Sequence, residues 1–195
     1  MLVLEEPELE LTFKEDTVIK YDESIYHERC KHTNLKGVDF IYQYTSKLLL
    51  IEVKDFNRNF AHLKKIKQEK ILKQQYETLG LDTETPFETF CTNIMQKYND
   101  TLLSLFSNII DNNDNNLSKI TNKIQKIVFI LVIDLPHDML GFLNAIADQL
   151  ENKIKKYKCL FDAEFVLLTL ETASEIKCFT IKKIGNNEQL NIQSQ

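Results

Sequence analysis

A chain of 195 residues, 43% hydrophobic and 27% charged, can close one core of ordinary domain size, which excludes a protein disordered throughout. Only four Gly and three Pro exclude collagen-like and Gly- or Pro-rich architectures. Because Gly37, Gly80, Gly141 and Gly185 stand alone, there is neither a dinucleotide fingerprint nor a phosphate-cradling P-loop, and a net charge of −5 argues against coating nucleic acid by bulk electrostatics. The longest apolar runs, 48–51 and 127–133, fall short of the roughly 20 residues a membrane helix needs. The N-terminus carries acid where a signal peptide carries base. A soluble, cytoplasmic protein is expected. Cys30, Cys91, Cys159 and Cys178 form no C-x-x-C pair, so reduced and mostly buried thiols are expected rather than disulfides or a zinc ribbon. The group His27, Cys30 and His32 lacks a fourth ligand at a useful spacing.

In chain order, residues 8–13 and 17–21 are rich in β-formers around a turn-like Lys14-Glu15-Asp16 and predict a hairpin. Residues 22–32 predict a short helix, with Asp22, Glu23 and Ser24 supplying a cap and first-turn acids. Two hydrophobic strands follow at 38–43 and 47–56. The stretch 60–79 predicts a basic amphipathic helix stopped by Gly80. From Lys54 to Lys73 seven cations face two acids, a solvated face or a phosphate contact. Phe87, Phe90, Ile94, Tyr98, Leu102, Leu105 and Ile109 recur every three or four residues, which predicts a long core helix over 87–110. The polar run 111–116 reads as a loop, not a domain linker. Residues 126–136 predict a strand buried on both faces, in the middle of a sheet. Residues 139–158 predict a helix with Leu140, Leu143, Ala147, Leu150 and Ile154 on one stripe. The lysines at its end, Lys153, Lys155, Lys156 and Lys158, suit a helix C-terminus. Strands at 163–170 and 176–184 precede a loose tail. Strands interleaved with helices imply an α/β protein: one domain over 1–185, a three-layer α/β/α sandwich on a central mixed sheet, with 186–195 as a flexible tail.

The hairpin at 38–56 carries the chemistry. A two-residue turn at Thr45-Ser46 opposes Tyr44 to Lys47 and puts Asp39 opposite Glu52, on the same face and about 5 Å apart at Cβ. Lys54 shares that face, two residues beyond Glu52. Val38, Phe40 and Tyr42 then meet Val53, Ile51 and Leu49 on the other face, and a one-residue slip breaks both patterns. Leu48 and Leu50 accompany the charges, so the charged face is covered and its charges need a reason. Two carboxylates so close repel unless a cation lies between them, and hard oxygen ligands suit Mg²⁺ or Mn²⁺. An adjacent lysine can orient water or neutralise charge growing on a phosphate.

The stretch GVDFIYQYTSKLLLIEVKDF, with Asp39, twelve intervening residues, and then Glu52-Val53-Lys54 in an apolar strand, resembles the core motif of the PD-(D/E)XK nuclease superfamily. The proline that often precedes the first carboxylate there is replaced by Gly37-Val38. The segments YDES, VDFI, IEVKDF and QKYNDTL are similar to those of small bacterial proteins of that superfamily. The resemblance covers roughly residues 17–135, and only the set 39, 52 and 54 is specific. It implies a restriction-endonuclease-like fold and a metal-dependent nuclease. Asp39, Glu52 and the Val53 backbone carbonyl would hold Mg²⁺ or Mn²⁺, with Lys54 as catalytic lysine and Glu23, or else Glu28, as accessory acid. Arg58, Lys64, Lys65, Gln96 and Lys97 would meet the nucleic acid, DNA ahead of RNA. A nuclease that cuts two strands suits a homodimer. The alternative is a catalytically silent module of the same fold with a protein partner, as in phage defence or a toxin and immunity pair. The acidic pI and the want of a separate recognition domain favour it.

Overall fold

Strand patterning divides this protein into two sheets. The computed structural model describes residues 2–6, 9–14, 17–30, 32–33, 35–55, 86–111, 114–115, 117–120, 123–135, 140–173 and 177–184. Strands β1 (Leu2–Glu6) and β2 (Leu9–Phe13) pair antiparallel, and β2 pairs in turn with the last strand, β8 (Phe179–Lys183). Strands β3 (Val18–Lys20), β4 (Phe40–Tyr44), β5 (Lys47–Asp55), β6 (Lys126–Asp134) and β7 (Asp162–Thr169) form a five-stranded mixed sheet in that order. The pairs β3–β4 and β4–β5 are antiparallel, whereas β5–β6 and β6–β7 are parallel.

The expected hairpin 8–13/17–21 does not form. Leu9, Leu11 and Phe13 are all fully buried with half-exposed residues between them, the pattern of a strand with one buried and one wet face. The buried face packs across the gap between sheets, where the Phe13 ring lies 5.1 Å from Tyr42 and 5.6 Å from Phe40. β3 instead leaves for the five-stranded sheet and pairs with β4. The strand expected at 176–184 joins the smaller sheet in the same way. Among the described residues, one face of the central sheet is therefore covered by a sheet rather than by the helical layer of an α/β/α sandwich.

The opposite face is helical. Helix α1 (Ile25–Cys30) is shorter than expected, with a 3-10 turn at Tyr21–Glu23 before it, and Ser24 Oγ caps it by accepting the His27 N–H at 3.0 Å. Helix α2 (Pro86–Asp111) buries Cys91, Ile94, Tyr98, Leu102 and Leu105. Helix α3 (Phe142–Ile154) buries Ile146, Leu150 and Ile154, while Leu140, assigned to its stripe, is exposed. A one-turn helix, α4 (Leu170–Ala173), follows β7. In β6, Ile127, Phe129, Leu131 and Ile133 face the helices and Val128, Ile130 and Val132 face the second sheet, as a strand buried on both sides must. Val38 packs with the helical layer, not with Phe40 and Tyr42 as the extrapolated alternation required, because the ladder begins only at Phe40. After α2, Asp114 is buried and accepts N–H groups from Ile25 and Leu117, so that loop ties α2 to α1. Cys91 and Cys178 are buried and Cys159 is exposed. No described helix is long and apolar enough to cross a membrane. The basic helix expected over 60–79, with Arg58, Lys64 and Lys65, and the tail 186–195 lie outside the described residues.

Candidate functional site

The register fixes the site. Phe40 pairs with Ile51 and Tyr44 with Lys47, the spacing expected from the two-residue turn, where Thr45 adopts φ 55°. The β4 ladder ends at Phe40, and Asp39 continues it with a side chain: its Oδ2 accepts the Val53 N–H at 2.6 Å. In an antiparallel pair a residue's N–H and C=O point to the same neighbour, so the Val53 carbonyl faces that same edge. Glu52 points to the helical side with Leu48 and Leu50 and is completely buried.

Helix α2 sets the geometry from above. The Lys36 N–H donates to Asp100 Oδ2 at 2.9 Å, the Lys36 ammonium to Asn93 Oδ1 at 2.7 Å, and the Val38 N–H to Thr101 Oγ1 at 3.0 Å. The Tyr21 N–H donates to the Asp39 carbonyl at 3.1 Å. Between these anchors Gly37 lies so close to Tyr21 that a Cβ there would stand 1.8 Å from the ring. Residues 36–39 are thereby held from both sides, and the Asp39 carboxylate is aimed before any ligand arrives.

Two ammonium groups converge on the carboxylates. Lys54 Nζ lies 2.5 Å and Lys97 Nζ 2.7 Å from the same oxygen, Glu52 Oε1, and Lys97 Nζ also stands 3.6 Å from Asp39 Oδ1. Glu52 Oε2 is buried with no hydrogen-bonding partner among the described residues. Burial, and secondarily Asp39, push the Glu52 carboxyl up to about 7, against the pull of Lys54 and Lys97. Burial works against the Lys97 ammonium, but Glu52 and Asp39 outweigh it and hold its pKa above the ordinary value. Beneath them the buried Tyr98 hydroxyl donates to the Ile130 carbonyl at 2.8 Å, and burial, Glu52 and Asp39 raise that phenol well above its usual range.

No family model, curated protein or solved structure matches the chain. Asp39, Glu52 and Lys54 come together as the hairpin spacing predicts, and the Val53 backbone and Lys97 join them. Gln96 precedes Lys97 on α2 and is half-buried. Glu23 and Glu28 are exposed, and among the described residues no three His, Cys, Asp or Glu side chains gather to hold a metal. Sequence reasoning missed Asn93, Asp100 and Thr101 as positioning groups and Tyr98 as the floor of the site. Their signal was present: Asp100, Thr101 and Ser104 are polar residues set among the apolar positions of a core helix, and such groups are buried only with partners.

Proposed function

We propose that this chain is a metal-dependent nuclease of the PD-(D/E)XK type, with a restriction-endonuclease-like arrangement at the β4–β5 hairpin. The observation that carries the reading is the buried Glu52 Oε2, without a hydrogen bond among the described residues, beside a second carboxylate aimed by the strand register. The donor set suits a hard cation: Asp39, Glu52 and the Val53 carbonyl are all oxygen ligands, and Mg²⁺ commonly takes only one or two carboxylates and completes its shell with water and substrate phosphate. A cation held there would polarise the scissile phosphate and lower the pKa of an attacking water. Lys54, two-thirds buried, keeps an ammonium beside that reaction centre to offset charge growing on the phosphate. Tyr98 and Leu50 close the floor against bulk water. The site lies toward the carboxyl end of β5, beside a parallel neighbour, where open α/β sheets commonly bind ligands.

The decisive experiment is calorimetric titration of Mn²⁺ into the wild type, Asp39→Ala and Glu52→Ala, paired with cleavage of single- and double-stranded DNA and RNA. Saturable binding and cleavage lost in both variants is expected. Wild-type cleavage by folded Glu52→Ala would sink the assignment. One observation favours a silent binding module instead: two ammonium groups already balance the two carboxylates. Such a module binds no divalent ion in this titration.

A further inference from the structure

Lys97 occupies the space between the two carboxylates. Its ammonium is 2.7 Å from Glu52 Oε1 and 3.6 Å from Asp39 Oδ1, so one cationic nitrogen bridges the pair that the proposed metal would bridge. Lys54 differs: its only ion pair among the described residues is with Glu52. Lys97 reaches the site on a long side chain from α2, and its backbone carbonyl is fixed by Thr101 Oγ1 at 2.8 Å, so the ammonium can leave while the helix stays. Its side chain keeps 22% exposure, which leaves a route outward.

We infer that Lys97 is a tethered cation that competes with the divalent metal for Asp39 and Glu52, and that metal entry drives its ammonium out toward the phosphate of the nucleic acid. This rests on the nuclease reading and adds a coupling to it: one positive charge holds the carboxylates together before the metal arrives, and the same charge is released to the substrate when it does. A divalent ion and an ammonium cannot share two oxygens at these distances, because like charges a few ångströms apart in a partly buried site repel strongly. Lys97 is thus a positioning residue whose removal should tighten metal binding while weakening substrate binding. A residue that merely stabilised the fold would do neither.

The test is Mn²⁺ titration of Lys97→Met, which keeps the aliphatic stem, with Lys97→Gln as a second variant. Both should bind Mn²⁺ about tenfold or more tightly than the wild type, and KM for the cleaved nucleic acid should rise. Unchanged or weaker Mn²⁺ affinity in folded variants overturns the competition and leaves the nuclease reading intact. No Mn²⁺ binding by wild type or variants overturns both. Should the variants fail to fold, reductive methylation of the wild type read by mass spectrometry decides: Lys97 should be modified several-fold faster with saturating Mn²⁺ than without it. An equal rate counts against the proposal.

Discussion

Along α2 the buried face changes character between Lys97 and Leu105, about two turns apart. Around the first position the helix is held through charge and hydrogen bonds: Lys97 to the carboxylates, Tyr98 to Ile130, and Thr101 to Val38. At the second it meets the sheet across an open-mouthed cavity of about 560 Å³ lined by Leu48, Leu105, Phe106, Ile109, Ile127 and Phe161. Phe106, Ile109 and Ile110 are largely exposed beside it. Directional contacts to ionisable groups hold the first end, whereas the apolar lining of the second leaves space unfilled. Rigidity in this fold is concentrated where ionisable groups must be held at set distances.

The sharpest way to break the ordered end is Gly37→Ala. The new methyl would fall within the Tyr21 ring, whose hydroxyl is tied to Ser104, so the ring cannot turn aside without losing that bond. A loss of about 3 kcal/mol is expected in chemical denaturation, together with weaker Mn²⁺ binding because Asp39 is two residues away. A stability equal to wild type would show that the approach is slack.

Glu52→Gln removes ionisation and keeps shape. With its carboxyl raised from 4.5 to about 7, native Glu52 binds more protons than the unfolded chain between those values. Wild-type stability should therefore be highest below the lower value and fall as pH rises through about 7. Glu52→Gln should lack that decline and be the more stable protein at pH 8, by about 2 kcal/mol. Melting curves from pH 4.5 to 8 with no difference in slope would refute the burial argument. Saturating Mg²⁺ should flatten the wild-type curve as well, since a cation at the carboxylates favours their charged forms.

Tyr98→Phe leaves the Ile130 carbonyl without its donor and should cost about 1 kcal/mol in denaturant titration. A shift within error would mean that water replaces the hydroxyl, and hence that the floor of the site is wet.

The unequal legibility of the two ends has a physical origin. Asp39, Glu52 and Lys54 were readable because a strand's period of two and a two-residue turn leave one register that buries every apolar residue. The long helix was readable from its spacing alone. The place of β2 and β8 was not, because alternation reveals a half-buried strand without saying which sheet covers it, and sequence neighbours 8–13 and 17–21 looked like partners. Ordinary helix positions also hid Asp100 and Thr101, whose partners at 36 and 38 lie more than sixty residues away. Long-range pairing of single polar groups leaves no period to detect.

The apolar end should respond least. Leu105→Phe adds volume where the lining opens on a cavity, so the ring has room that it would not have at fully buried Leu50 on the same face. A change of about 0.5 kcal/mol, on the stabilising side, is expected from thermal melts. Leu105 is about 12 Å along the helix axis from Lys97, and sites that far apart without shared partners add independently. The double variant Leu105→Phe with Glu52→Gln should then show the sum of the two stability changes and the pH slope of Glu52→Gln alone. A departure of more than about 0.5 kcal/mol from that sum would mean that α2 moves as a unit, and that the loosely packed end sets the position of Lys97.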